Sequence, residues 1–306
     1  MRKPPILALI AALLLLATPS TFAWSGGGHM VIAAEAFKAL SPELKAKVTE
    51  ILKAHPDYAS WEQAHAKAGA DSLDLPLYII MRASTWPDEI RRGRGGNAQY
   101  DHPHWHYVDY PLRPPKFPME PAPIPEDDVV FGIAHCEKVL SDAKASPEER
   151  AVYLSYLMHL VGDIHQPLHC SSLFTEAYPK GDKGGNDFYV SPGGRGIKLH
   201  SLWDQLLGTS RNMQSHVNYA AEIEAKHPRR SLPELASHKT AKEWSLEGRN
   251  LAIEKAYLDG KLKGSTEGIS APGLPEGYTK EAKVAAEKQA ALAGYRLGDE
   301  IRGFVR

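Results

Sequence analysis

Apolar residues return every three to four positions along most of the chain, which is the spacing of α-helices that bury one face. Residues 29–40 show this period first, at Val31, Ile32, Ala36, Phe37 and Leu40. The same period predicts helices at residues 44–54, 63–92, 127–143, 147–164, 200–207, 213–225, 232–258 and 280–304. The helix at 63–92 contains Pro76 and Pro87, and each is expected to interrupt or kink it because proline lacks a backbone N–H.

Two segments lack the helical period. Residues 93–125 begin with several glycines and contain eight prolines, so an irregular stretch is predicted there. Residues 181–196 are rich in glycine and are expected to hold a short hairpin around Phe188, Tyr189 and Val190. The chain has no internal repeat. We therefore predict an all-α fold, a single mainly helical domain with long loops that carry function.

The first 23 residues have the pattern of a secretory signal peptide. Arg2 and Lys3 are followed by an uninterrupted apolar run of twelve residues at 6–17, and the segment ends in small residues at Ala23. A membrane-spanning helix needs about 20 apolar residues, so no stable membrane anchor is expected. Cleavage after Ala23 would leave a mature chain, residues 24–306, that is secreted or periplasmic; a monomer is expected.

Composition excludes several classes of protein. The chain has 36 Lys and Arg against 37 Asp and Glu, a net charge of −1, which excludes a strongly basic nucleic-acid coat and an acidic tail. Hydrophobic residues make up 43%, enough for a sizeable core and too many for a disordered chain. Two cysteines are too few for a disulfide scaffold.

The two cysteines are Cys136 and Cys170. Export to an oxidising compartment makes a disulfide between them the default expectation. The predicted helices oppose it, because a hairpin of helices with a rise of about 1.5 Å per residue puts the two Cα atoms roughly 15 Å apart. A disulfide requires less than about 7 Å. We therefore predict two free thiols.

Fourteen histidines are present, and several have the spacing of metal ligands. His159 and Asp163 are four residues apart on a predicted helix and so share a face, as do His200 and Asp204. His169 follows the first pair on the loop that leaves the helix. One such pair is ordinarily a helix-surface contact. Two pairs and a third histidine favour a zinc site, because neutral imidazole and carboxylate are zinc ligands.

Signal cleavage would also create a candidate ligand. Trp24 would carry a free α-amino group, which can chelate a metal together with its carbonyl oxygen. His29 follows five residues later, across three glycines that allow a sharp bend. The glycines alone are equally compatible with a flexible tail.

Six motifs that contain these residues occur in one order along the chain. They are Trp24 with His29, Ser84-Thr-Trp-Pro-Asp88-Glu-Ile-Arg91, His106-Tyr107-Val-Asp109, His159-x3-Asp163-x5-His169 with Gln166-Pro167-Leu168, Gly184-Gly185-Asn186, and Leu199-His200-x2-Trp203-Asp204. In this order they resemble the P-one/S-one nuclease family, secreted enzymes with three zinc ions that are related to zinc phospholipases C. The similarity extends to residues 293–297 and so covers essentially the whole mature chain.

The resemblance implies a phospholipase C/P-one nuclease-like fold and three zinc sites. The ligands would be Asp88, His106 and His159 for the first zinc; the amino nitrogen and carbonyl oxygen of Trp24 with His29 for the second; and His169, His200 and Asp204 for the third. Asp163 would bridge the first two metals. Arg91 would face the substrate phosphate, Tyr107 would stack on the base, Asp109 would hydrogen-bond to it, and Asn186 would also bind substrate.

The implied activity is zinc-dependent hydrolysis of single-stranded DNA and RNA to 5′-nucleotides, with 3′-nucleotidase activity. Zinc lowers the pKa of bound water to about 7, and a hydroxide held between two zincs would attack phosphorus in line. Arg91 and Asp163 are the implied catalytic residues. A near-neutral protein can still bind single strands through base stacking.

Two other functions are open. A zinc phospholipase C has a wider spacing between the terminal Trp and its His, and a Glu in place of Asp204. A metal-binding structural protein needs the ligands but not Arg91, Tyr107 or Asp109.

The remaining histidines are predicted to be solvated or to lie around the ligands. The solvated group is His55, His65, His216, His227 and His238. The other group, expected at the surface or around the ligands, is His102, His104, His135 and His165. The ring of Trp203 is expected in the core.

Overall fold

The computed structural model describes residues 24–68, 73–114 and 123–305. The predicted signal peptide, residues 1–23, lies outside the described residues. Helices dominate the described chain, which confirms the predicted fold class. Within these ranges no helix is long and apolar enough to cross a membrane.

Eleven α-helices occur in the described part of the chain. They are α1 Gly26–Lys38, α2 Pro42–Leu52, α3 Tyr58–Ala68, α4 Leu75–Ile90, α5 Val129–Ser141, α6 Pro147–Asp163, α7 Leu199–Asp204, α8 Met213–Lys226, α9 Glu234–Ser237, α10 Ala241–Leu251 and α11 Tyr278–Phe304. Four two-residue strands, β1 Pro111–Leu112, β2 Ser172–Leu173, β3 Tyr189–Val190 and β4 Ile197–Lys198, form two small sheets. The β3–β4 pair is antiparallel and is the predicted hairpin.

Local sequence explains where the long helices begin. Ser146 accepts a hydrogen bond from the backbone N–H of Glu149, and the carboxylate of Glu149 accepts one from the backbone N–H of Ser146. This capping box satisfies two backbone donors at the start of α6, and Pro147 occupies the first helical position, where no N–H is needed. Thr240 and Glu243 form the same capping box at α10.

Two predicted helices are divided in the structure. The segment 63–92 is not one helix but two, α3 and α4, and residues 69–72 between them lie outside the described ranges. Pro76 lies in the first turn of α4, where its missing N–H costs nothing, whereas Pro87 lies inside the helix, which ends three residues later. The segment 232–258 is divided into α9, α10 and a π-helical turn at Ala252–Ala256.

One hydrophobic core joins the helices. The helix α1 packs against α4, α8 and α11, while α6 packs against α4, α5 and α11. The C-terminal half of α6 has no exposed face, because every residue from 154 to 163 is buried. Its polar residues therefore lie inside the protein. Trp203 is fully buried in the same core, as predicted.

Both cysteines are buried and free, which confirms the prediction of two thiols. Cys136 lies on α5. The Sγ of Cys170 lies 3.3 Å from the carbonyl oxygen of Ile164, to which it donates a hydrogen bond.

Candidate metal centre

The end of α6 brings a histidine and a carboxylate together in the interior. His159 Nε2 lies 3.1 Å from Asp163 Oδ2, and neither side chain is exposed. His106 comes from the loop after residue 100 and places its Nδ1 3.0 Å from both His159 Nε2 and Asp163 Oδ2. These three side chains form one of three His/Asp groups in the described chain whose ligand atoms lie within 4.8 Å of one another.

A second group lies against the first. It contains His29 from α1, Asp88 from the last turn of α4, and again His159. The imidazole of His29 stacks on that of His159 with ring centroids 4.0 Å apart, and its Nε2 lies 3.4 Å from Asp163 Oδ1. Asp88 Oδ1 lies 3.8 Å from His159 Nε2. Asp163 thus faces both groups.

The third group contains His169, His200 and Asp204. The rings of His169 and His200 are 4.9 Å apart, and His200 Nε2 lies 3.7 Å from Asp204 Oδ2. His169 Nδ1 is also 3.7 Å from Asp163 Oδ1. The structure therefore brings together eight of the nine metal ligands that the resemblance implies, and these eight fall into neighbouring groups.

The hydrogen bonding of these side chains fits bound cations. Several of their atoms are buried without a hydrogen-bond partner in the described chain: both ring nitrogens of His29, Nε2 of His106, Nε2 of His169, and Oδ1 of Asp163. Each buried polar atom left without a partner costs about 1–3 kcal/mol. Zinc accepts this donor set of imidazoles and carboxylates. A cation at each group would satisfy these atoms, so the residues fit the metal.

Backbone carbonyls orient three of the imidazoles. The Nδ1 atoms of His159, His169 and His200 donate to the carbonyl oxygens of Ser84, His106 and Gly184 at 2.9, 2.6 and 2.7 Å. A proton held on Nδ1 leaves Nε2 unprotonated, with its lone pair free for a metal.

Strand pairing explains how His106 reaches His169. The parallel β1–β2 pair aligns Pro111 with Ser172, and the backbone N–H of Val108 donates to the carbonyl oxygen of His169 at 2.8 Å. Segments 106–112 and 169–174 therefore run side by side. Two-residue strands have no detectable period, so the sequence pattern did not predict this pairing.

Gln166 is a site residue to which the sequence analysis assigned no role. Its Nε2 donates to Asp204 Oδ1 at 2.8 Å, and its Oε1 accepts from the backbone N–H of Leu168 at 2.6 Å. The side chain is fully buried. Gln166 thus holds the carboxylate of Asp204 in the third group. The only signal for this role in the sequence was the position of Gln166 between His159 and His169.

Two glycines make room for the ligands. A Cβ at Gly162 would lie 2.7 Å from Nδ1 of His29. Gly184 has a φ of +62°, and a Cβ there would lie 2.2 Å from the carbonyl oxygen of Leu168. A side chain at either position is excluded by contact, and at Gly184 also by conformation.

Trp24 lies at the edge of the second group. Its indole Nε1 donates to the carbonyl oxygen of Gly162 at 2.9 Å, and its side chain is fully buried. The backbone N–H of Ser25 donates to the carbonyl oxygen of Asp204 at 2.9 Å. The start of α1 is thereby attached to both α6 and α7, beside His29.

Burial favours the neutral form, which binds metal, in four of the five candidate ligand histidines; in the fifth, His159, burial is outweighed by the nearby carboxylates of Asp163 and Asp88, which raise its pKa. Burial lowers the pKa of His106 to about 4 and that of His200 to about 3. It also lowers the pKa of His29 and of His169. Metal binding therefore displaces no proton from these four rings.

The carboxylates differ in charge. Burial opposes the ionised form of Asp163, but the neighbouring His159 and His169 hold the pKa of that carboxyl well below its usual range. Burial raises the pKa of Asp204 well above its usual range, against the hydrogen bond from Gln166. Asp163 is the permanent anion at the centre.

A cavity of about 310 Å³ opens beside these groups. Its lining includes His106, His169 and His200 together with all four predicted substrate-binding residues, Arg91, Tyr107, Asp109 and Asn186. Arg91 follows the end of α4 and places Nη1 3.4 Å from Asp88 Oδ1. Burial, with a contribution from Asp182, raises the pKa of Asp109 to about 6. A larger cavity of about 1100 Å³ between α10 and α11 contains none of these residues.

Two histidines differ from their prediction, and burial of a third excludes one of its two predicted alternatives. His55 and His216, expected in solvent, are buried. His55 packs between Trp61 and Trp86, with ring centroids 4.5 Å from each. His165, expected near the surface or around the ligands, is buried with Nε2 2.7 Å from Nη1 of Arg296. Polar neighbours in sequence concealed this burial, because the partners come from distant segments.

Comparison with known proteins shows the family of this chain. The family model described as S1/P1 nuclease matches residues 24–305. The chain belongs to the S1/P1 nuclease family, the P-one/S-one family that its motifs resemble. It is similar to Nuclease P1 of Penicillium citrinum, with 30% identity over 184 residues, 59% of this chain and 57% of that protein.

Two further relatives are also nucleases by name. Nuclease S1 of Aspergillus oryzae is 27% identical over 205 residues, 66% of this chain and 60% of that protein. Endonuclease 4 of Arabidopsis thaliana is 43% identical over 54 residues, 18% and 16% of the respective chains. The matched part of this chain spans less than two thirds of the length of each of these relatives.

Proposed function

We propose that this protein is a zinc-dependent phosphodiesterase that hydrolyses single-stranded DNA and RNA to 5′-nucleotides and also has 3′-nucleotidase activity. The observation that carries the proposal is the cavity beside the three His/Asp groups, which is lined by the guanidinium of Arg91. Membership of the S1/P1 nuclease family and the similarity to three nucleases support it.

Three zinc ions would be held by side chains that already lie together. The proposed ligands are Asp88, His106, His159 and Asp163 for the first ion; Trp24, His29 and Asp163 for the second; and His169, His200 and Asp204 for the third. When bound, zinc polarises phosphoryl oxygens and lowers the pKa of bound water.

Asp163 is suited to lie between two cations. Its carboxylate is fully buried and contacts His29, His106 and His159 at 3.0 to 3.4 Å. A buried anion attracts cations strongly, because no water screens it. We infer that Asp163 would be a ligand shared by two of the proposed metals.

Arg91 is suited to bind the phosphate that is cleaved. Its contact with Asp88 places the guanidinium at the cavity wall, beside the first group. A guanidinium offers two parallel N–H donors to a phosphate and is always charged. These donors would stabilise the charge that grows on the phosphate oxygens in the transition state.

The other cavity residues are suited to hold a nucleotide. Tyr107 is half-buried and offers a ring face on which a base can stack. Asp109 offers a carboxyl for the edge of that base. The amide nitrogen of Asn186 donates to the carbonyl oxygen of Lys183, and its Oδ1 accepts no hydrogen bond from the described residues. Its Oδ1 is therefore free to accept one from substrate.

Cleavage of the signal peptide during export would complete the second proposed zinc site. Cleavage before Trp24 converts its backbone N–H into an amine with a lone pair, and the residue already lies beside His29. We infer that the active enzyme is the mature chain in the periplasm or outside the cell.

Metal analysis and product analysis together test the proposal. The mature protein should contain three zinc ions by mass spectrometry and release 5′-mononucleotides from single-stranded DNA, and a chelator should abolish both. A protein that contains zinc and hydrolyses phosphatidylcholine but not DNA would instead be a zinc phospholipase C. A protein that contains zinc and hydrolyses neither would be a metal-binding protein without this activity.

A further inference from the structure

Lys198 is a cation of the cavity for which the proposed chemistry has no use. It is the last residue of β4, directly before α7, and it lies two residues from His200. Its side chain is half-buried and lines the cavity beside the three His/Asp groups. Within residues 24–68, 73–114 and 123–305, no hydrogen bond or ion pair of its ammonium group is found.

The neighbouring lysine provides a contrast. Lys183 also lines the cavity, but its Nζ forms an ion pair with Asp187 Oδ2 at 2.8 Å, and its side chain is 69% exposed. Asp187 and Asp109 are the two carboxylates, apart from the metal ligands, that line this cavity. Asp187 is engaged by Lys183, and the described contacts include no ion pair between Asp109 and Lys198. Lys198 therefore brings a positive charge to the cavity that no described carboxylate neutralises.

The backbone at Lys198 is held from both sides. Lys198 pairs with Tyr189 in the β3–β4 ladder, and the backbone N–H of Leu199 donates to the carbonyl oxygen of Phe188 at 2.8 Å. The backbone N–H of His200 donates to the carbonyl oxygen of Gly185 at 3.2 Å. Because this backbone is paired on both sides, Lys198 keeps its place on the cavity wall, two residues from His200 of the third His/Asp group.

The ammonium group of a half-buried lysine has lost part of its hydration. Without a carboxylate partner, it is stabilised when an anion binds and accepts its hydrogen bonds. The scissile phosphate is already provided for by Arg91 and the proposed metals. A polynucleotide brings a second anion of the same kind, the next phosphate along the strand. We propose that Lys198 binds this neighbouring phosphate, on the side of His169, His200 and Asp204, so that the enzyme distinguishes polynucleotides from substrates with one phosphodiester.

This subsite rests on the proposed nuclease function, and a comparison of two substrates tests it. A dinucleoside monophosphate has only the scissile phosphate, whereas a trinucleoside diphosphate also has the neighbouring one. We expect Lys198→Gln to lower kcat/KM about tenfold for the trinucleotide, the effect of one lost charged hydrogen bond. The same variant should leave kcat/KM for the dinucleotide within a factor of two.

Salt dependence and two further variants separate a subsite from a general effect of charge. For single strands the slope of log KM against log salt should fall by about 0.7 in Lys198→Gln, because one phosphate contact is lost. Lys198→Arg should restore the preference for the trinucleotide. Lys183→Gln removes the same charge from the same cavity and should leave the ratio of the two substrates unchanged, since Lys183 is paired with Asp187.

The outcomes distinguish the two proposals. Equal losses on both substrates, no loss on either, or the same selective loss in Lys183→Gln would overturn the Lys198 subsite while the nuclease function stands. A wild-type enzyme that contains zinc and cleaves neither substrate would overturn the nuclease function and the subsite together. Zinc content and circular dichroism of each variant show that the fold and the metals are retained.

Discussion

At the scale of single residues, several of the proposed ligands are held by a neighbour that is not itself a proposed ligand. Gln166 holds the carboxylate of Asp204, and the carbonyl oxygen of Gly184 holds the Nδ1 proton of His200. Such neighbours orient the ligand and fix its tautomer. The spacing of His200 and Asp204 was visible in the sequence. The role of Gly184 was not, because it depends on a carbonyl group 16 residues from its histidine.

A variant of Arg91 tests the role of this residue in catalysis separately from metal binding. Arg91→Ala removes donors that are already positioned for the transition state, and we expect kcat to fall about 10²- to 10³-fold. Zinc content should stay at the wild-type value, since Arg91 contacts Asp88 but is no ligand. Steady-state kinetics on single-stranded DNA and metal analysis of the same sample measure both.

Arg82→Ala is the matched control. Arg82 lies on α4, the helix that Arg91 directly follows, forms an ion pair with Glu89 at 3.0 Å and does not line the cavity. Its removal should leave kcat within a factor of two. An Arg91→Ala enzyme with wild-type kcat would restrict Arg91 to its contact with Asp88.

At the scale of elements, the close approach of α1 and α6 depends on Gly162. The Cβ of Gly162→Ala would meet Nδ1 of His29 at 2.7 Å and force the imidazole or the helix to move. We expect the variant to lose about one of the three proposed zinc ions and most of its activity. Gly298→Ala is the control. Gly298 lies in α11, and a Cβ there would first meet Nη1 of Arg302 at 3.5 Å, the end of a flexible side chain.

Alanine favours a helix over glycine by about 1 kcal/mol, so any loss in Gly162→Ala reflects contact and not helix propensity. Metal analysis and thermal melting of both variants decide the matter. Three zinc ions in an active Gly162→Ala protein would show that His29 tolerates displacement and is not needed as a ligand.

The start of α1 carries the second element-scale prediction. An alanine added before Trp24 of the mature chain converts the α-amino group into an amide, which has no lone pair for a metal. We expect loss of one zinc ion and of most activity, measured on protein with a defined N-terminus. Trp24→Phe keeps the amine while losing the indole bond to Gly162, and should keep its zinc. Full activity of the extended chain would exclude the N-terminal ligand.

Most helices were predictable because amphipathic periodicity and caps are local signals. The divisions at 63–92 and 232–258 were not, because apolar residues on both sides of a break continue the period. The β1–β2 pairing was invisible for the opposite reason, since two residues are too few to show any period. That pairing brings His106 and His169 together.

At the scale of the whole molecule, the core also determines how stability responds to acid. Burial lowers the pKa of His55 to about 3. The unfolded chain takes up a proton at this histidine near its ordinary pKa of about 6.5, and the folded chain does not. The unfolded state then binds more protons, so the free energy of unfolding falls as the pH falls from about 6.5 towards 3.

A His55→Phe variant tests this contribution. Between pH 7 and 5.5 the wild type should lose about 1 kcal/mol more of its unfolding free energy than the variant, from roughly 1.4 kcal/mol per pH unit for one proton. Urea unfolding at the two pH values measures the difference, and any loss of metal cancels between the proteins. Equal pH dependence in both proteins would show that His55 is hydrated when folded.

The sequence by itself determined the helical class, the i,i+4 ligand pairs and the family, since local period, spacing and ordered motifs are properties of the chain. Only the tertiary structure placed His29 and Asp88 against α6 and opened the cavity beside Arg91, Tyr107, Asp109 and Asn186. It also buried His55, His165 and His216. The physical reason is the same in each case: these contacts join side chains far apart along the chain, and packing of helices, not periodicity within one, decides which of them meet.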